Sequence, residues 1–77
     1  MFGLDSDSIR RLLIERRFTL AEFARRAEIT VVTARRLTRS GATATAPTVG
    51  KVADALGVEP SQILKEYNSD EALKKEL

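Results

Sequence analysis

The chain has 77 residues, which are enough for one small domain and too few for a second hydrophobic core. Its formal net charge is +2. Its 43% hydrophobic and 31% charged residues are typical of a globular domain that folds by itself. The lack of any Cys or His excludes disulfides, thiol nucleophiles, imidazole bases and nearly all structural zinc sites. No catalytic motif is formed by the remaining Ser, Asp, Glu and Lys, so we expect no enzyme, metal site or cofactor.

The positive charge is concentrated in the middle of the chain. Residues 9–51 carry ten cations, nine of them Arg, against three acids, whereas both flanks are net acidic. Arginine suits a polyanion-binding surface because its guanidinium offers paired donors to a phosphate or a guanine edge. The opening residues 1–7 are acidic and lack a long apolar run, so neither a secretory signal nor a membrane span is expected. These features favour a cytoplasmic protein that binds nucleic acid over one with a merely solvated surface.

Helical periodicity predicts two helices in the first third of the chain. The first follows four capping candidates at residues 5–8, has apolar residues at helical spacing and ends near Arg17. The second runs to about Ala27, with Thr19 as its cap and Glu22 placed to cap back from the third helical position. This pairing of Thr19 and Glu22 is the strongest local signal in the chain.

Three further helices are predicted after a break at residues 28–29. The third covers about residues 31–37, with a threonine before it as its cap. After an Ala/Thr loop, the fourth begins at Pro47 and ends before Gly57, which can adopt a left-handed conformation. A short fifth helix covers residues 60–67.

The end of the chain has two interpretations. Residues 67–77 form either a frayed helix or a dimer contact, because their capping and charge pattern suits a helix while chain termini commonly fray. The candidate dimer contacts are apolar residues near this end: Ile63, Tyr67, Leu73 and Leu77. In the alternative, Tyr67 and Leu73 fold back on the first and fifth helices.

The predicted third helix has an unusual outer face. At about 100° per residue, Ala34 and Leu37 share one side, and the opposite arc is filled by two valines and two arginines. These four candidate base-reading residues are Val31, Val32, Arg35 and Arg36. Valine suits thymine methyl groups, and guanidinium donors suit O6 and N7 of guanine, although one arginine can instead clamp a phosphate. In the competing interpretation a valine is buried against a neighbouring helix and the arginines are merely solvated.

The run from Thr19 to Leu37 resembles the helix-turn-helix of the phage Cro and repressor (XRE-type) family. In that family an acidic-apolar-alanine segment, a turn, an apolar residue, a Ser/Thr cap and a reading helix follow in this order. The similarity continues through Pro47 and the Ala-Leu-Gly-Val segment at residues 55–58, and covers about residues 8–66. The resemblance implies an all-α, compact five-helix lambda-repressor-like domain, with at most a short additional C-terminal helix, that binds a palindromic operator as a homodimer.

Some residues depart from the family pattern. Leu20 stands where the family often has a phosphate-gripping Gln, and Glu28 replaces the usual turn glycine, which predicts a left-handed glutamate or a reshaped turn. In the family the loop after the reading helix follows the DNA backbone. Helix amino ends and nearby cations also suit phosphates. The candidate backbone contacts are Arg17, Thr19, Thr33, Arg39, Thr43 and Thr45.

The favoured interpretation is a transcriptional regulator, a repressor that binds specific double-stranded DNA through the major groove with residues 31–37. It would act at the nucleoid of a prokaryotic cell or a phage-infected host, without a membrane or small-molecule ligand. One alternative within DNA binding is an excisionase-like or winged architectural factor, which measurable strand content would favour. Another is a protein-binding module of the antitoxin or anti-repressor type, which presents the same valines and arginines to an acidic protein groove.

Overall fold

The computed structural model describes residues 1–65, in which four α-helices pack around a shared core. A 3₁₀ helix and a ribbon of two short antiparallel strands complete the fold. None of these helices is long and apolar enough to cross a membrane. In chain order the elements are β1 (Phe2–Gly3), α1 (Ser6–Arg16), α2 (Leu20–Ala27), α3 (Val31–Leu37), β2 (Thr43–Ala44), α4 (Ala46–Leu56) and the 3₁₀ helix (Pro60–Gln62).

Side-chain caps begin the first three helices. Asp5, Thr19 and Thr30 each accept a hydrogen bond from the backbone N–H three residues further on, at 3.0–3.1 Å. Each cap satisfies a donor that would otherwise have no partner inside the helix. The helix starts predicted at Thr19 and Thr30 are therefore confirmed.

Asp5 is the one charged residue among these caps. The Ser8 backbone N–H, which donates to the carboxylate, lowers the pKa of Asp5 below its ordinary value. A carboxyl whose pKa is lower in the folded than in the unfolded chain stabilises the fold at pH values above its ordinary pKa. That contribution is lost as the pH falls through the folded pKa.

We expect Asp5→Ala to lower the free energy of unfolding at neutral pH by about 1 kcal/mol, because the cap is lost. The difference from wild type should shrink in acid, where the wild-type carboxyl is protonated. Asp5→Asn is the matched control, since it keeps an acceptor oxygen but does not titrate. Urea unfolding from neutral pH into the acid range measures all three proteins. An Asp5→Ala deficit that stays constant with pH would contradict this account.

Two helices end on left-handed residues that carry side chains. Arg17 (φ 59°) follows α1, and Glu28 (φ 57°) follows α2. This conformation costs a residue with a Cβ atom about 1–2 kcal/mol. Of the two alternatives predicted for Glu28, the structure has the left-handed glutamate. Gly57 (φ 69°) ends α4 without that strain, as the sequence predicts.

We expect Glu28→Gly to raise the free energy of unfolding by about 0.5–1 kcal/mol. Glycine adopts the left-handed conformation without strain, and its extra freedom in the unfolded chain offsets only part of the gain. Glu28→Ala is the matched control because it removes the carboxylate but keeps the Cβ atom. Thermal unfolding compares the two variants, and a glycine variant no more stable than the alanine variant would argue against strain at this turn.

The hydrophobic core lies where α2, α3 and α4 meet. Phe23 of α2, Leu37 of α3 and Val52 of α4 are fully buried, and Ile9 joins them from α1, which packs against α4. Burial of each such side chain contributes about 1.5–3 kcal/mol. Because Ala34 and Leu37 enter this core from the same side of α3, the opposite side of α3 faces solvent.

The N-terminal segment forms a ribbon that the sequence analysis did not predict. Phe2 and Gly3 pair with β2 in antiparallel register, and the Leu4 N–H donates to the Ala42 carbonyl at 2.9 Å. Within residues 1–65 the named strands are confined to this ribbon. The strand content that would favour the winged alternative is thus limited, in these residues, to the four residues of β1 and β2. Because β2 pairs with β1 across three intervening helices, residues 1–65 contain no hairpin of two strands joined by a tight turn.

The prediction of five helices is wrong for the described residues, which contain four α-helices. Where the fifth was expected, the chain forms a single 3₁₀ turn at residues 60–62. Leu64 then forms a β-bridge with Leu4, and the Lys65 N–H donates to the Gly3 carbonyl at 2.9 Å. Backbone that is bonded in this way to the N-terminal segment cannot continue a helix. The predicted last two residues of that helix lie outside the described residues.

Ile63 lies in the core, so its predicted role as a dimer contact is wrong. Its side chain is 0% exposed, and its carbonyl accepts a hydrogen bond from the Asp5 N–H at 2.8 Å. A side chain that is fully enclosed by its own chain cannot contact a second copy. The other three candidates, Tyr67, Leu73 and Leu77, lie outside the described residues.

Candidate nucleic-acid interface

Small side chains bring α2 and α3 together. Ala24 and Ala27 of α2 and Ala34 of α3 are all buried, which leaves room for close helix contact. The turn between the helices is closed by a hydrogen bond from the Ile29 N–H to the Ala24 carbonyl at 2.9 Å, and Ile29 packs against the core. The orientation of α3 is thereby fixed by the core and by the turn.

The outward side of α3 carries the four residues predicted to read bases, which we call the α3 flank: Val31, Val32, Arg35 and Arg36. Val32 is 76% exposed and Val31 is 41% exposed, and both arginines are exposed. The competing interpretation, in which a valine is buried against a neighbouring helix, does not match these values. Apolar methyl groups and guanidinium groups therefore lie side by side at the surface of a short helix.

The two arginines lie on opposite sides of Val32. At about 100° per residue, Arg35 is about 60° from Val32 on the side of Val31, and Arg36 is about 40° away on the other side. Within residues 1–65, no hydrogen bond or ion pair engages the Arg35 guanidinium. Arg36 donates from Nη1 to the Thr43 carbonyl at 3.0 Å. Sequence reasoning did not foresee this contact, because it joins α3 to a loop that has no helical register with it.

The predicted backbone contacts lie at helix ends and in the loop after α3. Thr19 and Thr45 are exposed at the amino ends of α2 and α4, and the Thr45 hydroxyl donates a hydrogen bond to the hydroxyl of Thr48 at 3.2 Å. Thr33 and Thr43 are half-buried, and Thr33 Oγ1 accepts from the Thr30 hydroxyl at 3.0 Å. The two cations of this set are both exposed: Arg17 and Arg39.

Ion pairing separates the arginines into two groups. Glu22 binds both Arg25 and Arg26, and Arg26 also stacks over Phe18, 4.7 Å from the ring centroid. The predicted back-capping by Glu22 is therefore replaced by these pairs. In the described part of the chain, the arginines without a carboxylate within 4.0 Å are Arg11, Arg17, Arg35, Arg36 and Arg39. All but Arg11 are residues that the sequence assigns to nucleic-acid contact.

The arrangement is suited to binding an extended anion. Among residues 1–65, no group of three or more Asp or Glu residues is placed to hold a metal ion. Three kinds of group on this face match the mixed surface of a DNA groove and its phosphates: apolar methyls on α3, guanidinium groups that have no carboxylate partner within residues 1–65, and threonine hydroxyls near helix ends. The unit of α2, turn and α3 has the order of a helix-turn-helix motif.

Comparison with known proteins identifies the family. A model of the Cro/C1-type HTH DNA-binding domain matches residues 8–68, and the chain belongs to that family. The family resemblance and the helix-turn-helix class predicted from the sequence are thereby confirmed. No curated protein matches the chain.

Two solved structures are similar to this chain. Native PhpD with cadmium atoms aligns with a TM-score of 0.70 at 26% identity. PhpD with cadmium complexed with hydroethylphosphonate aligns with a TM-score of 0.69, also at 26% identity. Each alignment covers 84% of this chain but only 14% of the PhpD chain, so the likeness concerns one part of a much longer protein.

Proposed function

We propose that this chain is a sequence-specific regulator that binds double-stranded operator DNA by laying α3 in the major groove. It represses transcription by occupying promoter DNA, and it therefore acts at the nucleoid. The observation that carries the proposal is the exposure of the α3 flank, because Val32 and Arg35 point away from the core on a helix whose orientation the core fixes. Membership of a DNA-binding family supports it.

The α3 flank supplies the base contacts in this proposal. The methyl groups of Val31 and Val32 contact the C5-methyl groups of thymine, which only the major groove displays. The guanidinium of Arg35, which has no side-chain partner within residues 1–65, donates to O6 and N7 of guanine, a contact worth about 1–3 kcal/mol of discrimination. Arg36 lies on the same flank and was predicted to read a base in the same way.

The surrounding residues supply the backbone contacts. Arg17 and Arg39 have no acidic partner in the described residues, so their charge is available to phosphates on either side of the groove. Hydroxyls and helix amino ends add uncharged donors to phosphate oxygens. The threonines proposed for this role are Thr19, Thr33, Thr43 and Thr45.

Specificity calls for a second copy of the domain. A single short reading helix contacts only a few base pairs, whereas two copies on half-sites about 34 Å apart double the sequence that is read. The proposed operator is accordingly palindromic, and the protein binds it as a homodimer. Its remaining candidate dimer residues, Tyr67, Leu73 and Leu77, lie beyond the described residues.

Salt dependence of DNA binding tests the proposal. Binding to duplex fragments of the source genome, measured over a range of ionic strength, should weaken linearly on a log–log plot because phosphate contacts release counterions. Arg39→Gln should reduce the slope by about 1. Arg10→Gln is the matched control, because Arg10 is paired with Asp7 on α1. No binding at low salt would refute the proposal and favour the protein-binding alternative.

A further inference from the structure

The two arginines of the α3 flank have different surroundings. Arg35 shares its side of α3 with Val31 and makes no side-chain bond within the described residues. Arg36 lies on the side of α3 that faces the following loop, and its Nη1 donates to the Thr43 carbonyl at 3.0 Å. Two residues that look equivalent in the sequence are therefore not equivalent in the fold.

The bonded carbonyl belongs to the outer edge of β2. Backbone groups of successive strand residues point alternately to the two edges of a strand. The Ala42 carbonyl accepts from the Leu4 N–H at 2.9 Å and so faces the N-terminal segment, and the Thr43 carbonyl, one residue further on, faces away from it. Arg36 occupies this outer edge, so β2 is held by the N-terminal segment on one side and by α3 on the other.

We infer that Arg36 is a positioning residue that ties the loop of residues 41–45 to α3, which leaves Arg35 as the guanine-reading arginine of the flank. The inference rests on the proposed function. The loop carries two proposed phosphate contacts, Thr43 and Thr45. The distance between the loop and the α3 flank determines whether the loop can contact phosphates while the flank contacts bases of the same duplex. A loop fixed before binding loses less conformational freedom on DNA and therefore binds more tightly.

The hydrogen bond between Arg36 and the loop, which we call the tether, can be tested in the free protein without DNA. Arg36→Ala should raise the hydrogen-exchange rates of the backbone amides at residues 42–44 by about 3- to 10-fold, the amount expected for one lost hydrogen bond. Arg36→Lys should restore most of the protection, because an ammonium can donate to a single carbonyl. Arg35→Ala is the matched control, and it should leave exchange in the loop unchanged. Circular dichroism checks that every variant is folded.

DNA-binding measurements distinguish a positioning role of Arg36 from a base-reading role. With Arg36→Ala, affinity for preferred and unrelated duplexes should fall by the same factor, about 3- to 10-fold, and the base preferences selected from a random duplex library should be unchanged. A change of preference at a defined base pair together with unaltered loop exchange would overturn the inference. If wild-type protein bound no duplex, the proposed function would be refuted, while the exchange measurement would still support or refute the tether.

Discussion

Replacing Phe23 with Ala should lower the free energy of unfolding by about 3–5 kcal/mol. Phe23 is 0% exposed where α2 meets the core, so its removal deletes packing contacts and leaves a cavity. A domain of this size has a total stability of roughly 5–15 kcal/mol, so the loss is a large part of the whole. Urea unfolding followed by circular dichroism gives the value.

Two further variants show whether the effect comes from the core. Phe23→Leu keeps most of the buried volume and should cost about 1–1.5 kcal/mol. Phe2→Ala removes the same group from β1, where the side chain is 47% exposed, and should cost about 1 kcal/mol. Equal losses for Phe23→Ala and Phe2→Ala would contradict the placement of the core between α2, α3 and α4.

Replacing Arg35 with Ala should relax base preference. Affinity for the preferred duplex should fall by about 5- to 150-fold, which corresponds to the 1–3 kcal/mol of a paired arginine–guanine contact. Affinity for unrelated duplexes should change little, because the residue would contribute there only through its charge. Selection from a random duplex library, performed with wild-type and variant protein, identifies the base pair at which preference is lost.

Arg11→Ala is the matched control for this experiment. Arg11 is exposed and also lacks a carboxylate partner in the described residues, but it lies on α1 and not on the α3 flank. Its replacement removes the same charge and should leave the selected base preferences unchanged. Loss of preference with Arg11→Ala, or retained preference with Arg35→Ala, would mean that α3 does not read the bases.

Local signals in the sequence were sufficient to predict the helix-turn-helix unit. A cap such as Thr19 or Thr30 depends on a hydrogen bond across three residues, so a short stretch of sequence determines it. Gly57 likewise ends α4 through a local backbone preference. The spacing of Ala34 and Leu37 determines which side of α3 is buried, and the opposite exposed side follows directly.

Non-local pairing limited the prediction elsewhere. The ribbon joins Phe2 to Ala44, and a strand of two residues has no periodicity that a sequence pattern can detect. The β-bridge between Leu4 and Leu64 holds the backbone in a non-helical conformation where the spacing of apolar residues predicted a fifth helix. The burial of Ile63, which removes it from the dimer candidates, follows from the same contact with the N-terminal segment.

For the functional residues, too, local features were predicted from the sequence and non-local contacts were not. The sequence singled out Arg35 and Arg36 together because they are neighbours on the exposed arc of one helix. Their difference depends on where the loop after α3 lies, and that loop is held by the start of the chain through Leu4 and Ala42. Ion pairing of Arg25 and Arg26 with Glu22 similarly distinguishes them from the arginines on and near α3, which have no carboxylate partner within residues 1–65.

The most direct test of the account is an NMR measurement of the protein bound to a duplex selected from a random library. We expect nuclear Overhauser effects between the methyl protons of Val31 or Val32 and the C5-methyl protons of thymine, which lie in the major groove. The largest amide shift changes should fall in α3 and at the amino end of α2. Shift changes confined to α1, with no contact between the valine methyls and any base, would contradict the claim that α3 enters the groove.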